Sequence, residues 1–170
     1  MASSGQDGVA SYSRDGRWIY FTSNRTGEFQ IWRMPAEGGD AVQWTRRGGR
    51  VALESPDGRD LFFAKLPPDN WASLWRMPAA GGEETQVLES MLAYSFDMTK
   101  SGVYYAGRPG LDHLSPVYFY SLATGKSTQL AAASLRGASN GLAVSPDGTT
   151  LLRGQTSETA ADLMVMEKIR

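Results

Sequence analysis

The phrase Ile31-Trp32-Arg33-Met34-Pro35-Ala36-Glu37-Gly38-Gly39 returns 43 residues later as Leu74-Trp75-Arg76-Met77-Pro78-Ala79-Ala80-Gly81-Gly82. A chain that repeats a word at this spacing is a row of equivalent units, each burying its apolar face against its neighbours. Three turns keep the same phase: Ser13-Arg14-Asp15-Gly16, Ser55-Pro56-Asp57-Gly58 and Ser145-Pro146-Asp147-Gly148. Asp15 and Asp57 lie 42 residues apart and Asp57 and Asp147 lie 90 apart, which leaves room for one cryptic copy. Thr99-Lys100-Ser101-Gly102 falls there, followed by Val103-Tyr104-Tyr105 in the manner of Trp18-Ile19-Tyr20-Phe21 and Leu61-Phe62-Phe63.

Each period reads as four short strands. In the first they are about Val9–Ser13, Arg17–Thr22, Glu28–Met34 and Ala41–Thr45, with β-branched and aromatic residues between glycine-closed turns. Proline presets φ in such turns, aspartate bonds nearby amides, and glycine accepts positive φ. Helical repeats need runs of ten or more residues at 3.6 spacing, and the glycines interrupt every such window. Four-stranded antiparallel units at a period of 40 to 45 are propeller blades. The expected fold is therefore all-β, a β-propeller or half-propeller with blades at 9–45, 51–88, 91–130 and 140–167. A linker over 131–139 precedes the last blade, which lacks its outer strand.

The Ser-Pro-Asp-Gly turn, the strand Trp18-Ile19-Tyr20-Phe21-Thr22-Ser23-Asn24-Arg25, and Ile31-Trp32-Arg33-Met34-Pro35 with Gly38-Gly39 together resemble the TolB-like propeller repeat, a relative of the WD-type repeat. The resemblance covers essentially the whole chain, and its last copy looks like the C-terminal blades of longer bacterial propellers. It implies the fold; the expected binding or scaffolding role rests on the clear blade repeats together with the lack of a complete catalytic constellation. The resemblance names no ligand, because the matching residues are turns and core.

Composition removes several functions. A net charge of -1 with scattered basic residues lacks the field that phosphate backbones demand, so nucleic acid is excluded as a partner. Zero cysteines among 170 residues rule out disulfides, thiolate metal sites and cysteine nucleophiles. No apolar run reaches the roughly 18 to 20 residues of a membrane helix, and Met1–Gly8 carries no export signal. No membrane partner is expected; the compartment stays open, cytoplasmic as given or periplasmic for a longer parent.

Catalytic and cofactor motifs are incomplete. The single histidine, His113, lies in an insertion at 108–115, and no Gly-x-Ser-x-Gly elbow accompanies it. Ala123-Thr124-Gly125-Lys126-Ser127 ends like a phosphate loop, but Tyr120 replaces the first required glycine and a strand follows, so a hairpin turn is expected. No cofactor is expected. Asp15, Asp57 and Asp147 could line up as calcium ligands, but carboxylates in such turns bond backbone amides, and no metal is expected. Trp32 and Trp75 repeat at equivalent positions, which favours packing between blades over ligand stacking. Asn24-Arg25-Thr26 is an incidental sequon.

Residues that break the repeat carry the functional signal, because binding faces of repeat proteins are loop variations on a common frame. Arg46, Arg47 and Arg50 crowd the crossing between the first two blades. Asp69, Asn70 and Trp71 lie in one middle-strand loop and His113, beside Asp112, in another. These seven form the candidate ligand rim of a non-catalytic module that binds a protein or peptide. The alternative is an enzyme or metal-binding propeller sited in the channel, such as a hydrolase or lyase accessory domain. Apolar faces on the end blades give one further expectation, a homodimer completing a pseudo-eight-bladed ring.

Overall fold

A computed structural model describes residues 5–67, 71–111, 114–136, 141–156 and 161–167 of the chain. Among these residues there are fifteen strands and no helix, and hence no helix long and apolar enough to cross a membrane. The strands form four sheets, each a meander in chain order, with antiparallel partners wherever the register is defined.

The first sheet holds β1 (Asp7–Tyr12), β2 (Trp18–Ser23), β3 (Gln30–Pro35) and β4 (Val42–Gln43). The second holds β5 (Ala52–Glu54), β6 (Asp60–Lys65), β7 (Trp71–Pro78) and β8 (Thr85–Leu92). The third holds β9 (Phe96–Thr99), β10 (Gly102–Ala106), β11 (Leu114–Ser121) and β12 (Lys126–Arg136). The fourth, of three strands among the described residues, holds β13 (Leu142–Val144), β14 (Thr150–Thr156) and β15 (Ala161–Glu167).

The chain divides into two compact units, Met1–Glu89 and Ser90–Arg170. In the first unit, period-two alternation gives each central strand two distinct faces. Tyr20 and Ile31 from the first sheet meet Ala52, Leu61, Phe63 and Met77 from the second in one buried cluster, flanked by Trp44 and Trp75. Polar bonds reinforce this contact: Ser11 donates to the Ala52 carbonyl at 2.7 Å, and the Thr22 hydroxyl donates to the Arg50 carbonyl. In the second unit, the Val144 amide donates to Asp97 Oδ2 at 2.8 Å and Tyr104 packs on Phe119 with centroids 4.9 Å apart.

The three Ser-x-Asp-Gly turns share one bonding scheme. Ser13, Ser55 and Ser145 donate to Oδ1 of Asp15, Asp57 and Asp147 at 2.7, 2.6 and 2.6 Å. The same carboxylate oxygens accept the amides of Arg17, Arg59 and Thr149, while Gly16, Gly58 and Gly148 sit at φ of 71°, 71° and 69°. The cryptic third copy is built differently. Thr99 pairs directly with Gly102, so Lys100 and Ser101 make a two-residue connection and Gly102 is already strand. A Thr99 to Ser101 hydroxyl contact of 3.0 Å stands where the other turns use aspartate.

The expected linker at 131–139 is corrected over 131–136, where β12 continues to Arg136 and Ser134–Arg136 pairs with Leu114–Pro116 past a bulge; 137–139 lie outside the described residues. A bulge lets a strand absorb an irregular stretch without ending its ladder, which periodicity alone does not reveal. Ala123–Gly125 is a hairpin turn, with the Gly125 amide bonded to the Ser121 carbonyl at 2.9 Å and β12 following.

Candidate functional site

The crossing from β4 to β5 is held from both sides. Gln30 Oε1 accepts the Thr45 hydroxyl at 2.8 Å and the Gly48 amide at 3.1 Å. The Gly49 amide donates to the Phe29 carbonyl, and the Arg50 amide to the Ala64 carbonyl. Gly48 adopts φ 83°, the left-handed region that glycine enters without steric cost. Gly49 has no room for a side chain, since a Cβ there would lie 2.8 Å from Ile31 Cγ1.

Two hollows flank this crossing. One, of about 470 Å³, is lined by Gly27–Phe29, Arg47–Arg50, Lys65–Pro67, Ser73 and Trp75. It joins the crossing to the middle-strand loops of the first and second sheets. The Arg50 guanidinium lies 3.8 Å from the centroid of Phe29, and the Lys65 ammonium 3.8 Å from that of Trp75. The other hollow, of about 540 Å³, is lined by Arg46, Arg47, Trp44, Met77 and the loop Gly81–Glu84.

Glu84, in the wall of the second hollow, pairs with cations that line the first. Its side chain is 7% exposed, and Oε2 takes the Lys65 ammonium at 2.6 Å with Arg47 Nε at 3.8 Å. Its Oε1 accepts the Arg46 amide at 3.3 Å. One carboxylate thus faces two cations, and Arg50 brings a third to the 470 Å³ groove beside the single acid Glu28. The Phe29 face fixes the Arg50 guanidinium, while Lys65 is shared between the Trp75 face and the Glu84 carboxylate.

Of the seven rim residues expected from the sequence, Arg47 and Arg50 line this groove and Arg46 lines its neighbour. Trp71 opens β7, half-buried, and lines neither hollow. Asp69, Asn70 and His113 lie outside the described residues. Sequence reasoning missed Lys65, Glu84 and Phe29. Lys65 follows Phe62-Phe63-Ala64 where the first blade has Ser23, and that departure from the repeat was the available signal.

Among the described residues no group of three or more His, Asp or Glu is placed to hold a metal ion. Asp15 is held down to about 2, chiefly by the Arg17 amide and then by Ser13. Asp57 and Asp147 are lowered as well, first by Ser55 and Ser145.

The fold matches solved propellers over nearly its full length. TolB from Acinetobacter baumannii superposes with a TM-score of 0.80 at 15% identity, over 99% of this chain and 42% of that one. This chain has the TolB-like propeller fold. A protein from Agrobacterium tumefaciens assigned as TolB superposes at 0.73 and 16% identity, over 96% of this chain and 58% of that one. The same fold of four sheets also matches a puromycin hydrolase at 0.68 and 17% identity, covering 96% of this chain and 27% of the hydrolase. No protein-family model matches the sequence. An uncharacterized protein of Agrobacterium fabrum is 39% identical over 67 residues, 38% of this chain and 23% of that protein. The TolB-like chain therefore spans about half the length, or less, of the proteins it resembles.

Proposed function

We propose that this chain is a non-catalytic binding propeller whose groove at the first crossing takes an acidic peptide segment of a protein partner. The observation that carries the reading is the pair of stacked cations, Arg50 over Phe29 and Lys65 over Trp75, opening on one groove with Arg47. An extended peptide would set carboxylates against Arg50 and Arg47 and lay apolar stems along Pro67 and Trp75. Charge at such a rim speeds encounter and selects the partner's sign more than it adds affinity. A displayed random-peptide library panned on the wild-type chain tests this. Enriched sequences should be rich in Asp and Glu and should lose at least about tenfold in affinity on Arg47→Glu plus Arg50→Glu. Peptides without acidic bias, or equal binding to the double variant, would overturn the reading.

A further inference from the structure

The first sheet has a second apolar face, directed away from the buried cluster it shares with the second sheet. Ile19 pairs with Met34 and Phe21 with Trp32 across β2 and β3. In the second sheet Leu61 pairs with Met77 and Phe63 with Trp75, 42 or 43 positions later and in the same register. Those four residues of the second sheet pack against Tyr20 and Ile31 of the first. Ile19, Phe21, Trp32 and Met34 thus hold the same register positions in the first sheet; there the Arg25 guanidinium lies over Phe21 and Trp32, which are buried, while Ile19 and Met34 stay partly exposed. Tyr12, opposite Ile19, is 66% exposed; Val9 is 49% exposed and lines a hollow of about 640 Å³ with Ile19, Phe21 and Met34.

A complementary face is present on the fourth sheet. Counted from its Ser-x-Asp-Gly turn, Leu151 matches Leu61 and is fully buried, and Leu152 matches Tyr20 and Phe62. Ala143, Leu152 and Val165 are in register across β13, β14 and β15, so they share one face. All three are exposed, Leu152 at 36% and Val165 at 55%. Tyr20 and Phe62 do not meet solvent at the corresponding places, being 1% exposed each.

We propose that a second copy of this chain covers these faces: the Tyr12, Ile19, Met34 face of one copy receives the Ala143, Leu152, Val165 face of the other, twice about a two-fold axis. The occupant is a second copy because the chain carries both complementary halves, in the register its own sheets use. Isolated apolar side chains on a surface are ordinary, whereas a contiguous patch repeating an internal contact marks an interface. The proposal is independent of the peptide groove, whose residues lie on neither face.

Sedimentation velocity on the full chain at about 50 μM reads the result. The expected mass is twice 18.5 kDa for wild type, falling to 18.5 kDa for Tyr12→Glu and for Leu152→Glu plus Val165→Glu. These sites are exposed, so circular dichroism should match wild type; Ala143→Glu is the second choice if a variant misfolds. Mixing the two variants should restore a dimer, since one of its two contacts then uses only unmodified faces. Wild-type protein running as a monomer would overturn the proposal, whether its faces stay open or close within one chain. A dimer that survives both sets of substitutions would overturn it equally.

Discussion

Tyr20 donates its hydroxyl hydrogen to Glu54 Oε1 across 3.1 Å, joining the middle of β2 in the first sheet to the end of β5 in the second. The other oxygen of Glu54 accepts the Arg14 amide in the first turn. Loss of hydration, and then the charge of Glu54, push the Tyr20 phenol up to about 12.

That shift sets an alkaline limit. The unfolded phenol ionises near pH 10 while the folded one resists, so Tyr20's contribution is intact below pH 10 and disappears as pH rises to about 12. Urea unfolding at pH 9 and pH 11.5 should show wild type losing about 2 kcal/mol more than Tyr20→Phe over that interval. Tyr105, also raised by burial, contributes to both proteins and cancels in the comparison.

Acid stability should follow the turns. The carboxyls of Asp15, Asp57 and Asp147 are held below their ordinary range, so their contribution is complete above pH 4 and is lost as pH falls towards about 2, the value for Asp15. Replacing all three by Asn should lower the Tm at pH 6 and shrink the difference in Tm between pH 6 and pH 3. An unchanged difference would show that other groups set the acid limit.

Gly49→Ala should destabilise the chain by about 1 to 3 kcal/mol, because the new methyl would press on Ile31 Cγ1 at 2.8 Å and Thr45 Oγ1 at 2.9 Å. Gly8→Ala, with nothing within 4 Å, should stay within about 0.5 kcal/mol of wild type. Chemical denaturation of the two variants side by side checks both numbers.

Arg33 lies between Trp44 and Trp18, 3.5 Å and 4.0 Å from the ring centroids. Arg33→Ala should cost about 1 to 2 kcal/mol, and Arg33→Lys should recover only part of it, since an ammonium cannot stack as a flat guanidinium does. Equal stability of the Lys variant and wild type in thermal melts would remove the planar stack as the cause.

The fold was legible where chemistry is local and recurs. Asp15, Asp57 and Asp147 each bond within four residues, so their turns could be read from the sequence; the tighter Thr99–Gly102 connection lacks that carboxylate and was read as one of them. Trp32 and Trp75 could be placed because they share a position in the period. Trp75 meets the inter-sheet cluster, as its repetition implied, and also borders the groove, which repetition could not tell. Of the residues lining the two candidate hollows, only Arg46, Arg47 and Arg50 were legible, because they cluster in sequence. Lys65 and Glu84 are 19 residues apart, and their pairing depends on how β6 and the Gly81–Glu84 loop approach each other.

The crossing at Gly48–Arg50 is bonded to Gln30 and Phe29 on one side and to Ala64 on the other. The groove beside it therefore has a preset width. The acidic peptide proposed above would give up its own freedom on entering but ask little reorganisation of the protein, which is the condition under which modest contacts suffice for binding. Differences among ligands should then lie in how long each stays, with arrival rates nearly alike at fixed ligand charge.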